Sequence, residues 1–253
     1  MTQKQLLLIT IAGFMLLTAC NLATETPTPQ ADLLSPTAPS LTPPAPATAT
    51  QTRFATPVPT FTSTPYPIYF TEEFNSDLGA WESFQTGGSS SPTVNLENSL
   101  LRIDIPSPYT WYYAVHNGHA YSNVTVSAKI DGNPGGSIGV LCYYNETKGW
   151  YEFNIASDRT YSVLFGQWLA QDIAQYTPVA TDRLDYLEAG SLNYEISLTC
   201  QENTLLLYVN GILFRTLDVT RYGLTEGKIG ITASSFDEIP MTVFFDWVKV
   251  SEK

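Results

Sequence analysis

Positive charge is scarce in this chain: 12 Lys and Arg stand against 24 Asp and Glu, for a formal net charge of −12. So few cations cannot neutralise a run of phosphates, which excludes nucleic-acid binding through the backbone and membrane docking by a basic patch. Cysteine and histidine are scarcer still, at three and two, too few for a Cys-rich zinc module. The motifs Gly-x-x-x-x-Gly-Lys and His-Glu-x-x-His do not occur, so the sequence carries no phosphate loop or zinc-protease helix. Helical periodicity is almost missing as well. What the 253 residues hold instead is 17 Pro, 16 Gly, 15 Tyr, 12 Phe and 5 Trp, a composition of turns and β-structure.

The N-terminus reads as an address. Lys4 precedes an apolar stretch from Leu6 to Leu17, and Thr18, Ala19 and Cys20 follow. Twelve apolar residues are too few to cross a bilayer, which takes about 20, so residues 1–20 read as a cleaved export signal. Leu17-Thr18-Ala19-Cys20 resembles the lipobox of bacterial lipoproteins. That resemblance implies a diacylated Cys20 as the lipid anchor and an extracytoplasmic place on the bacterial cell surface. Two acyl chains hold a protein stably where one is marginal. Residues 21–65 contain ten Pro, twelve Thr, seven Ala and three Ser. Such a segment cannot bury a core and favours extended polyproline conformations, giving a disordered stalk of at most roughly 140 Å.

Residues 66–253 are enough for one domain burying about 70% of its unfolded surface. Apolar, β-branched and aromatic runs predict strands over 100–105, 111–116, 124–130, 137–144, 149–156, 161–167, 194–200, 204–209, 212–217, 228–233 and 241–250. Strand signals at this spacing predict an all-β, antiparallel two-sheet sandwich or barrel. Asn117-Gly118 and Asn210-Gly211 both read as tight hairpin turns, and Gln171 to Gln175 as one helical turn ended by Pro178. Cys142 and Cys200 share strand parity with buried positions and are expected to form a disulfide, closing a loop of about 58 residues.

Phe70-Thr71-Glu72-Glu73-Phe74-Asn75, Gly79-Ala80-Trp81, Tyr151-Glu152-Phe153-Asn154-Ile155, Leu207-Tyr208-Val209-Asn210-Gly211 and Phe245-Asp246-Trp247-Val248-Lys249-Val250 resemble, in that order, concanavalin A-like jelly-roll domains. The laminin G-like and 3-keto-disaccharide hydrolase-like members are the most similar in pattern. The resemblance implies fold more than activity, because one fold hosts enzymes and inert binding modules. It also implies a structural calcium near the chain ends, with Glu72, Glu73 and Asp246 as candidate ligands; no other cofactor is expected.

Laminarinase-type relatives place their carboxylates as Glu-x-Asp-x-x-Glu on one strand. Here Glu152 is kept but Asn154 stands two positions later, and a retaining glycosidase needs a second carboxylate. The expectation is therefore a non-catalytic module whose hollow sheet face binds carbohydrate or another cell-surface polymer, since sugar rings stack on aromatics and bond to nearby polar groups. Candidate ligand-binding residues are Tyr112, His116, Tyr144, Trp150, Glu152, Asn154, Arg159 and Trp168. His116 and His119, flanking the supposed Asn117-Gly118 turn, lack a third metal ligand. Alternatives are a glycoside-active enzyme of the 3-keto-disaccharide hydrolase type and a structural or protein-interaction module of the cell envelope.

Overall fold

A computed structural model of the chain describes residues 65–133, 135–170 and 173–253. The export signal, Cys20 and all of the stalk but Pro65 lie outside the described residues. Among the described residues fifteen strands build two antiparallel sheets, with one short 3-10 turn at Thr220–Tyr222. The first sheet runs β13 (Ile212–Asp218), β12 (Thr204–Val209), β11 (Tyr194–Gln201), β6 (Asn123–Gly132), β15 (Met241–Ser251), β4 (Leu100–Ile105) and β3 (Thr93–Glu97). An eighth strand, β1 (Phe70–Glu72), pairs with the end of β15. The second sheet runs β10 (Ile173–Arg183), β9 (Thr160–Ala170), β8 (Gly149–Ala156), β7 (Gly136–Asn145), β14 (Gly227–Ser235), β5 (Thr110–Tyr121) and β2 (Trp81–Gly87). This is the all-β two-sheet sandwich that the strand pattern predicts.

Burial shows why each sequence pattern takes its place. β4 and β12 alternate buried and half-buried residues, as strands with one solvated face do. β7 is buried from Gly136 through Tyr143, and β8 from Gly149 through Ile155, so both faces of these central strands are covered. One cover is the main core between the sheets, where Val140, Tyr151, Phe153 and Ile231 meet Val126, Ile130, Leu198 and Phe245. Cys142 on β7 is bonded to Cys200 on β11, which staples the two sheets through the middle of that core. The other cover, on the far side of the seven-stranded sheet, is described below.

Local expectations divide. Asn210 and Gly211 have φ of 51° and 75° and close the β12–β13 hairpin, the geometry that an Asn-Gly turn favours. Asn117-Gly118 makes no turn. It lies inside the twelve-residue strand β5, where the pairing with β14 slips between Gly227 and Ile229, so the excess residues are absorbed by an irregular register. Nor is Pro178 a helix stop. It sits on the edge strand β10, where a missing N–H costs no ladder bond on the open side, and the register shifts between Pro178 and Ala180. Strands β1, β2, β3 and β10 were not expected from the sequence pattern.

Candidate functional site: an aromatic layer on the seven-stranded sheet

The strands of the second sheet send alternate side chains away from the sandwich core. Trp111, Tyr113 and Val115 leave β5, Leu141 leaves β7, Trp150 leaves β8, and Phe84 and Trp168 leave β2 and β9. With Tyr144 and Tyr176 they form a second cluster of seven rings. Tyr113 and Trp150 are fully buried at its base, while Phe84, Trp111, Tyr144, Trp168 and Tyr176 are half-buried above them. Ring centroids lie 4.6 Å apart for Phe84 and Tyr113, 5.2 Å for Trp150 and Trp168, and 5.6 Å for Trp111 and Tyr176. These are spacings at which aromatic pairs attract beyond their buried area.

Contacts across the sheet reveal its curvature. Phe84 comes from one edge strand, yet its ring is 5.1 Å from Trp168 on β9, next to the opposite edge. The hydroxyls of Thr86 on β2 and Tyr176 on β10 meet at 2.5 Å although those strands are the two edges. The sheet is therefore curled so far that side chains from its rims touch over its outer face. The face that the sequence reading leaves as an open hollow is filled at its centre by its own rings.

Glu152 lies beneath this layer, fully buried. Its Oε2 accepts from Trp150 Nε1 at 2.8 Å and its Oε1 from Asn154 Nδ2 at 3.0 Å. The nearby Tyr113 hydroxyl donates to that of Tyr176 at 3.1 Å. Burial pushes the Glu152 carboxyl above the usual carboxylate range, against the pull of its hydrogen bonds. Burial pushes the Tyr176 hydroxyl up to about 12. The arrangement is a satisfied internal polar network under an apolar lid. Along β8 the next outward position is Asn154, 4% exposed, and Ser157 stands five residues beyond Glu152.

The eight candidate residues do not all meet. Trp150, Glu152, Asn154, Tyr144 and Trp168 share this face. Tyr112 belongs to the core between the sheets, because on β5 it is Trp111, Tyr113 and Val115 that face outward. His116 is also buried elsewhere, with the rings of Phe70, Trp81 and Tyr66 at 4.5, 5.2 and 5.4 Å. Desolvation lowers its pKa to about 4, helped by His119. His119 itself bonds to the Tyr66 carbonyl rather than joining His116 around a turn. Arg159 lies at the β8–β9 turn with φ of 75° and contacts Asp185. Phe84, Trp111, Tyr113 and Tyr176 belong to the layer and were not expected there. For Trp111 and Tyr113 the alternation along β5 was visible, but nothing in it says which parity faces the core.

Glu72 and Glu73 spend oxygens on nearby donors, the Phe74 amide and the Asn75 side chain. Asp246 is exposed on β15, in the same sheet as Glu72, beside Lys129 and Asp131. Among the described residues no group of three or more His, Cys, Asp or Glu side chains gathers as a metal site.

No protein-family model matches the chain, and no curated protein matches it. Solved structures do. A β-glucanase of Bacillus licheniformis aligns at 17% identity with a TM-score of 0.50, over 73% of this chain and 98% of that one. An endo-1,3-β-glucanase (laminarinase) from Thermotoga petrophila aligns at 12% identity and a TM-score of 0.53, over 74% and 98%. A Bacillus subtilis protein of unknown function with a galectin-like fold aligns at 11% identity and 0.54, over 72% and 94%. The fold is the concanavalin A-like jelly roll. At these identities the likeness is one of fold alone.

Proposed function

We propose that this protein is a non-catalytic carbohydrate-binding module, held outside the cytoplasm by a lipid on Cys20 and displayed on its Thr/Pro-rich stalk. The observation that carries the reading is the layer of seven rings on one sheet face, five of them half-exposed. Half-exposed rings offer flat apolar surfaces flush with the protein, suited to a saccharide chain laid across them rather than threaded into a cleft. The shared fold with a β-glucanase and a laminarinase supports a saccharide as the ligand. The sealed state of Glu152 supports binding without cleavage, since a general acid must reach the bond it protonates.

Affinity electrophoresis of the full-length chain through gels cast with neutral polysaccharides tests the reading. At least one of β-glucan, galactomannan, arabinoxylan and dextran is expected to retard the protein. Trp168→Ala is expected to weaken that retardation roughly tenfold, the size of one lost stacking contact. Mobility unchanged across the panel would sink the proposal. The anchor has its own check: in a bacterial host the wild type partitions with membranes, and Cys20→Ser is expected to appear in the soluble fraction. Equal partitioning of the two would remove the lipid from the account.

A further inference from the structure

The aromatic layer does not end at its last ring. Tyr144 also forms one wall of a cavity of about 370 Å³ at that end of the sheet, whose other sides are Asn145, Glu146, Thr147, Glu226 and Lys228. Three irregularities of pairing converge there: β7 with β8 between Cys142 and Asn145, β14 with β7 between Lys228 and Gly230, and β14 with β5 between Gly227 and Ile229. Their effect on direction is concrete. With Tyr143 at φ of 55°, both Cys142 and Tyr143 point into the main core, and Tyr144 returns to the outer face beside Leu141. Strict alternation would have buried Tyr144 with Cys142. Gly227 completes the pinch, because a Cβ there would lie 2.3 Å from the Tyr143 backbone.

The polar lining is specific in sign and in hydrogen-bond type. Lys228 Nζ donates to Glu146 Oε1 at 3.1 Å and to Asn117 Oδ1 at 2.9 Å, so its charge is compensated. Glu226 adds a second carboxylate, which leaves the lining with an excess of one negative charge. The Asn145 side-chain oxygen is occupied by the amides of Thr147 and Lys148 and the hydroxyl of Thr147. Its Nδ2 makes no hydrogen bond among the described residues, so it remains a donor. An aromatic wall, an amide donor, an ammonium and two carboxylate acceptors make a set that hydroxyl groups satisfy in both directions and that a ligand carboxylate does not.

We propose that this cavity is the terminal subsite of the aromatic layer, taking one neutral sugar ring and rejecting a uronic acid. The inference rests on the saccharide-binding reading above and adds the place and the charge of the end unit. Surface carboxylates contribute little to stability, so substitutions here leave the fold intact.

The test compares variants of the full-length chain in gels cast with the best-retained neutral polymer of the panel or with polygalacturonate. Glu226→Ala/Lys228→Ala is expected to weaken retention by the neutral polymer roughly tenfold, as for lost hydrogen bonds to charged groups. Glu146→Gln/Glu226→Gln frees Lys228 and is expected to bring retention by polygalacturonate that the wild type lacks. Glu97→Gln/Glu195→Gln makes the same change in net charge on the other sheet and is expected to do nothing. If Trp168→Ala weakens neutral binding but the cavity variants leave it unchanged, or if the remote pair raises polygalacturonate retention equally, the subsite is wrong and the layer stands. If the wild type binds no polymer, the binding reading itself fails.

Discussion

Replacing Cys142 and Cys200 together by alanine is expected to lower stability by about 4 kcal/mol, on the chain-entropy account of a closed loop of about 58 residues. For a domain of this size each kcal/mol is worth about 2–4 °C, so the melting temperature should fall by roughly 10 °C. The site makes the effect hard to offset. Both sulfurs are fully buried, and the bond joins β7 of one sheet to β11 of the other, which share no ladder. Thermal denaturation of wild type and double variant measures it directly. A shift of less than 2 °C would mean that burial alone holds the sheets together.

Glu152→Ala is expected to cost about 3–5 kcal/mol, because it strands the buried donors of Trp150 and Asn154 and leaves a void under the aromatic layer. Glu152→Gln keeps the shape and an acceptor and should cost far less. The two variants also separate in their response to pH. Burial raises the Glu152 pKa in the folded state above its unfolded value of about 4.3, so between those values the folded chain holds a proton that the unfolded chain has released. In that window this group's contribution makes stability fall as pH rises, and above it the penalty is constant. Chemical denaturation between pH 4 and 8 should show this slope in the wild type and its loss in Glu152→Gln. A profile identical in both would place Glu152 in contact with solvent.

The sandwich was legible because strands with one buried face announce themselves by alternation, as in 204–209, and because Asn210-Gly211 needs positive φ. The disulfide was legible from parity, Cys142 with Val140 and Cys200 with Leu198. The site was legible only in part. Trp150, Glu152 and Asn154 follow from Tyr151 and Phe153 facing the core. Tyr112 and His116 lie on the other face of β5 from the aromatic layer; alternation gives two faces without labelling them. Tyr144 reaches the outer face only through a bulge, a departure from period two that the residues do not display. The curl that brings Tyr176 over Thr86 is tertiary, arising between strands at opposite edges of the sheet.

On the reading proposed above, that curl makes the face a surface that holds rather than a cleft that cuts. The most direct measurement is to keep the neutral polysaccharide that retards the full-length chain in contact with it, and to assay binding and new reducing ends on the same sample. Stable retention with no rise in reducing ends is the result the aromatic layer and the sealed Glu152 predict. Release of reducing ends that disappears in Glu152→Gln would contradict it, because the carboxylate would then have to reach the sugar.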